Sequence, residues 1–287
     1  MLRANDKKEI ARYVTRASLP VQLREELELA AEGAAERLQA FLAVNWNPRK
    51  PSMDTRTPHG TRKAGLFLRY DNHHGSSEAG AVGHWLCNVA HPEVVTPLVP
   101  LIQAAWRVFS AYEPDKAALA TRYVARLAAH GADVAPGTGF TSVWVADRTA
   151  VAHRDVHVAN KEWPFGDVVL VIHTKPGLVC GGELVFVDHA TGTRVAFEMG
   201  HLSFAFMDAW SDVHASVPVT AAEGEHRLVL SLFCDIRLLE GLESGKETRW
   251  LNYPPSAEET AAARTRCRCA GCKGSAQGSA HVSGITR

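Results

Sequence analysis

The chain has little of several things that usually narrow a protein's class. It has no charge of one sign: Lys+Arg and Asp+Glu each number 31 in 287 residues, so no global field draws it to nucleic acid or a membrane surface. That balance leaves room for a local basic groove. No apolar run approaches the roughly 20 residues a membrane span needs. The start, Met1-Leu2-Arg3-Ala4-Asn5-Asp6-Lys7-Lys8, leads into a charged stretch and not into the apolar core of a signal peptide. A regular disulfide framework is also missing. Of six cysteines, Cys87, Cys180 and Cys234 stand alone in apolar surroundings, while Cys267, Cys269 and Cys272 crowd near the end. Such usage fits a soluble protein of a reducing, intracellular compartment.

What is present is a 46% hydrophobic chain, enough for one large core or two small ones. Residues 1–139 read as a helical region packing on a core. Apolar spacing of three and four predicts helices over Asp6–Arg16, Leu23–Ala43, Pro97–Ala111 and Pro114–His130, with Gly131 as a stop. Between them lies a polar loop, Asn45–Lys63, holding Arg49, Lys50, Arg56, Arg62 and Lys63 against Asp54. After Pro136-Gly137-Thr138-Gly139 the pattern changes to short β-type runs: Thr141–Ala146, Ala150–Val156, Asp167–His173, Glu183–Val187, Thr193–Phe197, His201–Phe206, Val213–Val219 and Arg227–Cys234. Eight strands at this spacing suggest a jelly roll within residues 140–240, and an α+β fold overall. Residues 241–287 read as a flexible, Cys-containing tail, the Ala/Gly/Ser/Thr-rich part from Pro254 onward being expected to be disordered.

His153-Arg154-Asp155 sets an imidazole and a carboxylate two residues apart in an expected strand. Alternating strand side chains then place both on one face, where they can bind one ion. His214, at the head of another strand, supplies a third donor. Two imidazoles and a carboxylate with open positions suit non-haem Fe(II) oxygenases. Chance alone yields on the order of one His-x-Asp triplet in a chain so rich in His, so order and context must carry the reading. The rival triplet His91-Pro92-Glu93 precedes a helical pattern, where residues two apart do not share a face. Arg227 opens the apolar run Leu228–Phe233. A guanidinium entering a β-core calls for an anion, and a 2-oxo acid chelating the iron offers one; a salt bridge to Glu225 or another acid is the alternative.

The order Phe140-Thr-Ser-Val143, His153-Arg-Asp155, Asn160, Gly181-Gly-Glu-Leu184, Trp210, His214 and Arg227 resembles the Fe(II)/2-oxoglutarate-dependent dioxygenase superfamily. Within it the chain is similar to the TET/JBP branch, which oxidises methyl groups on nucleobases. The resemblance covers about Phe140 to Asp235. It implies a double-stranded β-helix (jelly-roll/cupin-like) core with N-terminal helices outside, and His153, Asp155 and His214 as catalytic iron ligands. It further implies Arg227 as anchor of the co-substrate 2-oxoglutarate, O2 as second co-substrate and ascorbate as a reductant. Asn160 and Trp163 become substrate-binding candidates. The implied activity is hydroxylation of a C–H bond, most of all the methyl group of a 5-methylcytosine-type base in DNA or RNA; a protein side chain or small metabolite is the alternative, and a non-catalytic cupin-like binding domain the third. DNA or RNA would then be partners, no membrane is expected, and the protein would be nuclear if it acts on DNA and otherwise cytoplasmic.

Three features remain. Trp163-Pro164-Phe165 reads either as a loop that stacks on a flat base or as a core plug. The basic loop reads as a solvated segment, with contact to a phosphate backbone as the other option. Cys267-Arg-Cys-Ala-Gly-Cys272, with His281, has zinc-compatible donors, but its irregular spacing favours free thiols in a flexible tail. His201 is the replacement ligand should His214 fail.

Overall fold

The computed structural model describes residues 2–3, 9–45, 63–70, 81–147, 154–155, 164–187, 191–208, 214–267, 269 and 272. In chain order, strands β1 (Leu2–Arg3) and β2 (Glu9–Val14) precede helices α1 (Val21–Ala31) and α2 (Ala34–Asn45). Strands β3 (Lys63–Tyr70) and β4 (Val82–His84) then lead into helices α3 (Leu86–Ala90), α4 (Pro92–Val95), α5 (Val99–Tyr112) and α6 (Pro114–Ala129). The β-rich part holds β5 (Ser142–Asp147), β6 (Arg154–Asp155), β7 (Asp167–His173), β8 (Val179–Gly181), β9 (Leu184–Val187) and β10 (Arg194–Phe197). It continues with β11 (Phe204–Met207), β12 (His214–Ser216), β13 (Val219–Ala221) and β14 (Arg227–Phe233). Helix α7 (Arg237–Glu243), strand β15 (Thr248–Arg249) and helix α8 (Ala257–Arg266) close the described chain.

Two layers form the core, antiparallel except where β15 pairs with β4 in parallel at the edge of the larger one. The larger sheet runs β1-β2-β11-β7-β14-β5-β3-β4-β15, and the smaller one runs β10-β9-β12-β6. Within the larger sheet β11, β7, β14 and β5 are neighbours; along the chain they are interleaved with β6, the hairpin β9–β10 and β12 of the smaller sheet. Apart from the β9–β10 hairpin, the chain therefore passes back and forth between the two layers, and it is a double-stranded β-helix with helices packed outside. The fold class read from the sequence is what the strands build.

Periodicity decides what each face covers. On β14, Leu228, Leu230 and Leu232 lie on the outer face of the large sheet, in one cluster with Leu38 and Phe41 of α2 and Leu101, Ile102 and Phe109 of α5. Each such fully buried side chain contributes roughly 1.5–3 kcal/mol. The run Pro92–Tyr112 has the length and mean hydropathy (1.3) of a membrane span, which the sequence reading did not anticipate; yet its central residues are this core. The inner face carries Val169 and Val171 of β7 and Val229 of β14, packed on Leu184 and Phe186 of β9. That inner layer matters for the site.

Three local expectations are corrected. The described part of Asp6–Arg16 is not the expected helix: Glu9–Val14 forms β2 and pairs with β11, Val14 opposite Phe204. Its helical spacing is weak, and an open sheet edge supplies backbone partners that outweigh propensity. Leu23–Ala43 is two helices, because Gly33 takes φ +62° between them. The segment after Pro254 is not all disordered. Ser256 caps α8 by accepting from Glu259 N–H while the Glu259 carboxylate accepts from Ser256 N–H, and Cys267 and Cys269 beyond it are buried. Residues on both sides of position 139 share the large sheet, since β2, β3 and β4 extend it.

Candidate metal and co-substrate site

β12 lies between β9 and β6, and this position fixes what surrounds His214. On one side His214 is directly opposite Phe186, on the other directly opposite Asp155. Phe186 belongs to the inner core, and directly opposed residues share a face. His214 therefore faces the interior between the sheets; it is 5% exposed, with its ring 6.2 Å from that of Phe186. The backbone thus juxtaposes two of the three expected iron ligands, residues 59 apart in sequence, in one cross-strand pair. His153, two positions before Asp155, lies outside the described residues, as do Asn160, Trp163, Trp210 and His281.

Arg227 begins β14 on the same inner side as Val229. It is 3% exposed and its Nη2 donates to the Gly182 carbonyl at 2.9 Å. The Gly181-Gly182 turn makes that approach possible. Both residues have positive φ, +78° and +75°, and a Cβ on Gly182 would sit 2.7 Å from Arg227 Nε. From this turn the chain runs directly into β9, which reaches Phe186 and so His214. One short segment, Gly181-Gly-Glu-Leu-Val-Phe186, therefore touches the arginine at one end and the histidine strand at the other.

Directly opposite Arg227 is His173, the last residue of β7. It is 6% exposed, and its Nε2 is buried without a hydrogen-bond partner among the described residues. Burial, then the Arg227 charge and His201, push its pKa down to about 4, so the imidazole is neutral at pH 7. Its backbone N–H donates to His201 Nδ1 at 3.0 Å. His201 is accordingly an acceptor in a β7 contact, a structural role. In the sequence His173 is one of many histidines without a motif; the signal that could have found it is its position at a strand end, which only the register links to Arg227.

The bland alternative for Arg227, an ion pair with Glu225, has competition. The Glu225 carboxylate accepts from Thr174 Oγ1 at 2.6 Å and meets Lys175 Nζ at 2.9 Å, and these partners lower its pKa. A buried guanidinium beside a neutral imidazole with an unmet Nε2 fits a carboxylate, which can accept from both. The donor types at 153, 155 and 214 likewise suit Fe(II).

Two further sequence features are placed in part, Trp163 itself lying outside the described residues. His91-Pro92-Glu93 is not strand: Pro92 opens α4, and His91 Nδ1 meets Glu93 Oε1 at 3.1 Å. Of the Trp163–Phe165 loop, Phe165 is a core plug, 5% exposed and 5.0 Å from the Tyr123 ring.

Fold and site together define a double-stranded β-helix protein with an inward histidine paired to an acidic position and a buried arginine at the head of its last core strand. No family model matches the chain, and no curated protein matches it. Among solved structures it is similar to a bsmA homologue from Methylobium petroleophilum PM1, at 13% identity and TM-score 0.40, covering 79% of this chain and 89% of that one. It is similar to a Pseudomonas putida prolyl-4-hydroxylase at 15% identity and TM-score 0.36, covering 78% and 92%. It is similar also to a Trichoplax adhaerens prolyl hydroxylase in complex with a hypoxia inducible factor peptide, at 11% identity and TM-score 0.42, covering 80% and 86%. The strand order, rather than these distant likenesses, defines the fold.

Proposed function

We propose that the chain is an Fe(II)- and 2-oxoglutarate-dependent oxygenase that hydroxylates a C–H bond. The observation that carries this reading is the register that sets His214 directly opposite Asp155 on the inner side of the β-helix. His153, Asp155 and His214 would hold the metal. When bound, iron with O2 converts a C–H bond to C–OH while 2-oxoglutarate becomes succinate and CO2. The chain's own groups bind and orient. Arg227 meets the far carboxylate of 2-oxoglutarate as a two-pronged donor, and the neutral His173 offers a further N–H at the same depth. Phe186 and the valines of β7 keep the pocket floor dry, which strengthens both contacts.

The finer reading is oxidation of a methyl group on a nucleobase of the 5-methylcytosine type, with DNA or RNA as partner. It rests on the resemblance of the residues around the ligands to the TET/JBP branch. Hydroxylation of a protein side chain fits the same buried centre equally well. The deciding experiment supplies Fe(II), 2-oxoglutarate and ascorbate with methylated DNA, methylated RNA or a proline-bearing peptide library, and reads succinate and product mass together. Hydroxymethylated base with matching succinate supports the nucleobase reading. Peptide oxidation alone replaces it with the side-chain reading, and iron and 2-oxoglutarate binding without turnover on any of these favours a binding domain.

A further inference from the structure

The tail cysteines meet donors from a distant part of the chain. Helix α3 carries Cys87, and His91 follows one turn later, so both point the same way. Helix α8 delivers Cys267 immediately after its last residue, then Cys269 and Cys272. Cys87, Cys267 and Cys269 form one group whose sulfurs all lie within 4.8 Å of one another; His91, Cys269 and Cys272 form a second. Cys269 belongs to both. The Cys267 and Cys87 sulfurs are 3.3 Å apart, His91 Nε2 is 3.4 Å from Cys269 Sγ and 3.0 Å from Cys272 Sγ.

We propose that these residues form a structural zinc site, with Cys269 as its indispensable ligand and the other three drawn from Cys87, His91, Cys267 and Cys272. Thiolate and imidazole donors in a buried tetrahedron select zinc. Metal–ligand bonds of about 2.0–2.3 Å place tetrahedral donors about 3.5–3.8 Å apart, within a few tenths of the spacings here. The sulfur pair at 3.3 Å is well outside a covalent S–S bond of about 2.05 Å. The surroundings are also those of a metal-bound histidine. His91 Nδ1 meets the Glu93 carboxylate at 3.1 Å, which leaves Nε2 directed at the sulfurs, as zinc-binding imidazoles are oriented. Arg264 of α8 in turn reaches Glu93 at 3.3 Å and donates from Nε to the Ala90 carbonyl at 2.8 Å. The same contacts that dock α8 on α3 therefore aim the imidazole. Zinc would staple the C-terminal segment to helix α3 and the residue that ends it, replacing the free thiols expected from the sequence.

The test is elemental analysis of the full chain purified under reducing conditions, without added metal, alongside Cys269→Ser and His214→Ala. One zinc per chain in the wild type and in His214→Ala, and none in Cys269→Ser, is the expected result. His214→Ala separates this site from the iron centre, because it abolishes iron binding and leaves zinc in place. If Cys269→Ser fails to fold, cobalt substitution of the wild type reads the site directly, with thiolate-to-cobalt charge-transfer bands and tetrahedral d–d bands expected. No zinc before or after anaerobic reconstitution, zinc retained in Cys269→Ser, or a Cys87–Cys267 disulfide in the fresh protein by non-reducing mass spectrometry would each overturn the proposal.

Discussion

Arg227 and His173 stand directly opposite each other across β14 and β7, 3% and 6% exposed, one permanently charged and the other kept neutral by burial and by its neighbour's charge. Both side chains lie on the inner face of the large sheet, in line with Val171 and Val229 of the inner core. A dicarboxylate with one end on a metal suits the pair.

Substituting Arg227 should therefore act on the co-substrate and not on the metal. Arg227→Lys keeps the charge but loses the planar fork, and the 2-oxoglutarate concentration for half-saturation should rise about tenfold or more. Parallel iron and 2-oxoglutarate titrations check this. A loss of iron affinity with unchanged 2-oxoglutarate affinity would contradict the assignment.

Gly182→Ala should weaken the same binding through the backbone. The φ of +75° costs a non-glycine residue about 1–3 kcal/mol, and the new Cβ would displace the guanidinium 2.7–2.9 Å away. Gly177→Ala is the control: its φ is +89° but nothing lies within 4 Å of a Cβ there. Both variants should lose stability in urea unfolding, Gly182→Ala the more because its Cβ also clashes, and only Gly182→Ala should lose 2-oxoglutarate affinity.

Acid should destabilise the fold through His84. It is 4% exposed, its Nε2 donates to the Asp133 carbonyl at 2.9 Å, and burial lowers its pKa from 6.5 to about 4. The folded state thus binds this proton less readily than the unfolded one. Stability from His84 is complete above pH 6.5 and falls as pH drops towards 4, by about 2–3 kcal/mol near pH 4.5. Urea unfolding at pH 7 and pH 4.5 measures the drop, which should shrink by about that amount in His84→Gln. An unchanged difference would show that His84 titrates normally.

Much of this was legible in the sequence, for particular reasons. Asp167–His173 and Arg227–Phe233 read as strands because their β-branched and leucine runs are dense and bounded by turn residues. His214 stood out as a candidate because a histidine opens a short strand downstream of a His-x-Asp pair, and its strand is found where expected. What the sequence hid was tertiary. β2 looks helical until β11 offers it an edge, and Leu202, at φ +58°, turns the chain where a longer strand was expected to begin at His201. His173 gains its meaning only from the register with Arg227. Cys87 and His91 gain theirs from α8, about 180 residues further on, where no spacing rule reaches.

The most direct test of the account is anaerobic Fe(II) titration followed by 2-oxoglutarate, read by the weak visible charge-transfer band of the iron chelate. The account predicts a band in the wild type that disappears in His153→Ala and His214→Ala and needs far more 2-oxoglutarate in Arg227→Ala. A wild type that binds no iron, or a His214→Ala variant that binds iron and gives the band unchanged, would contradict it.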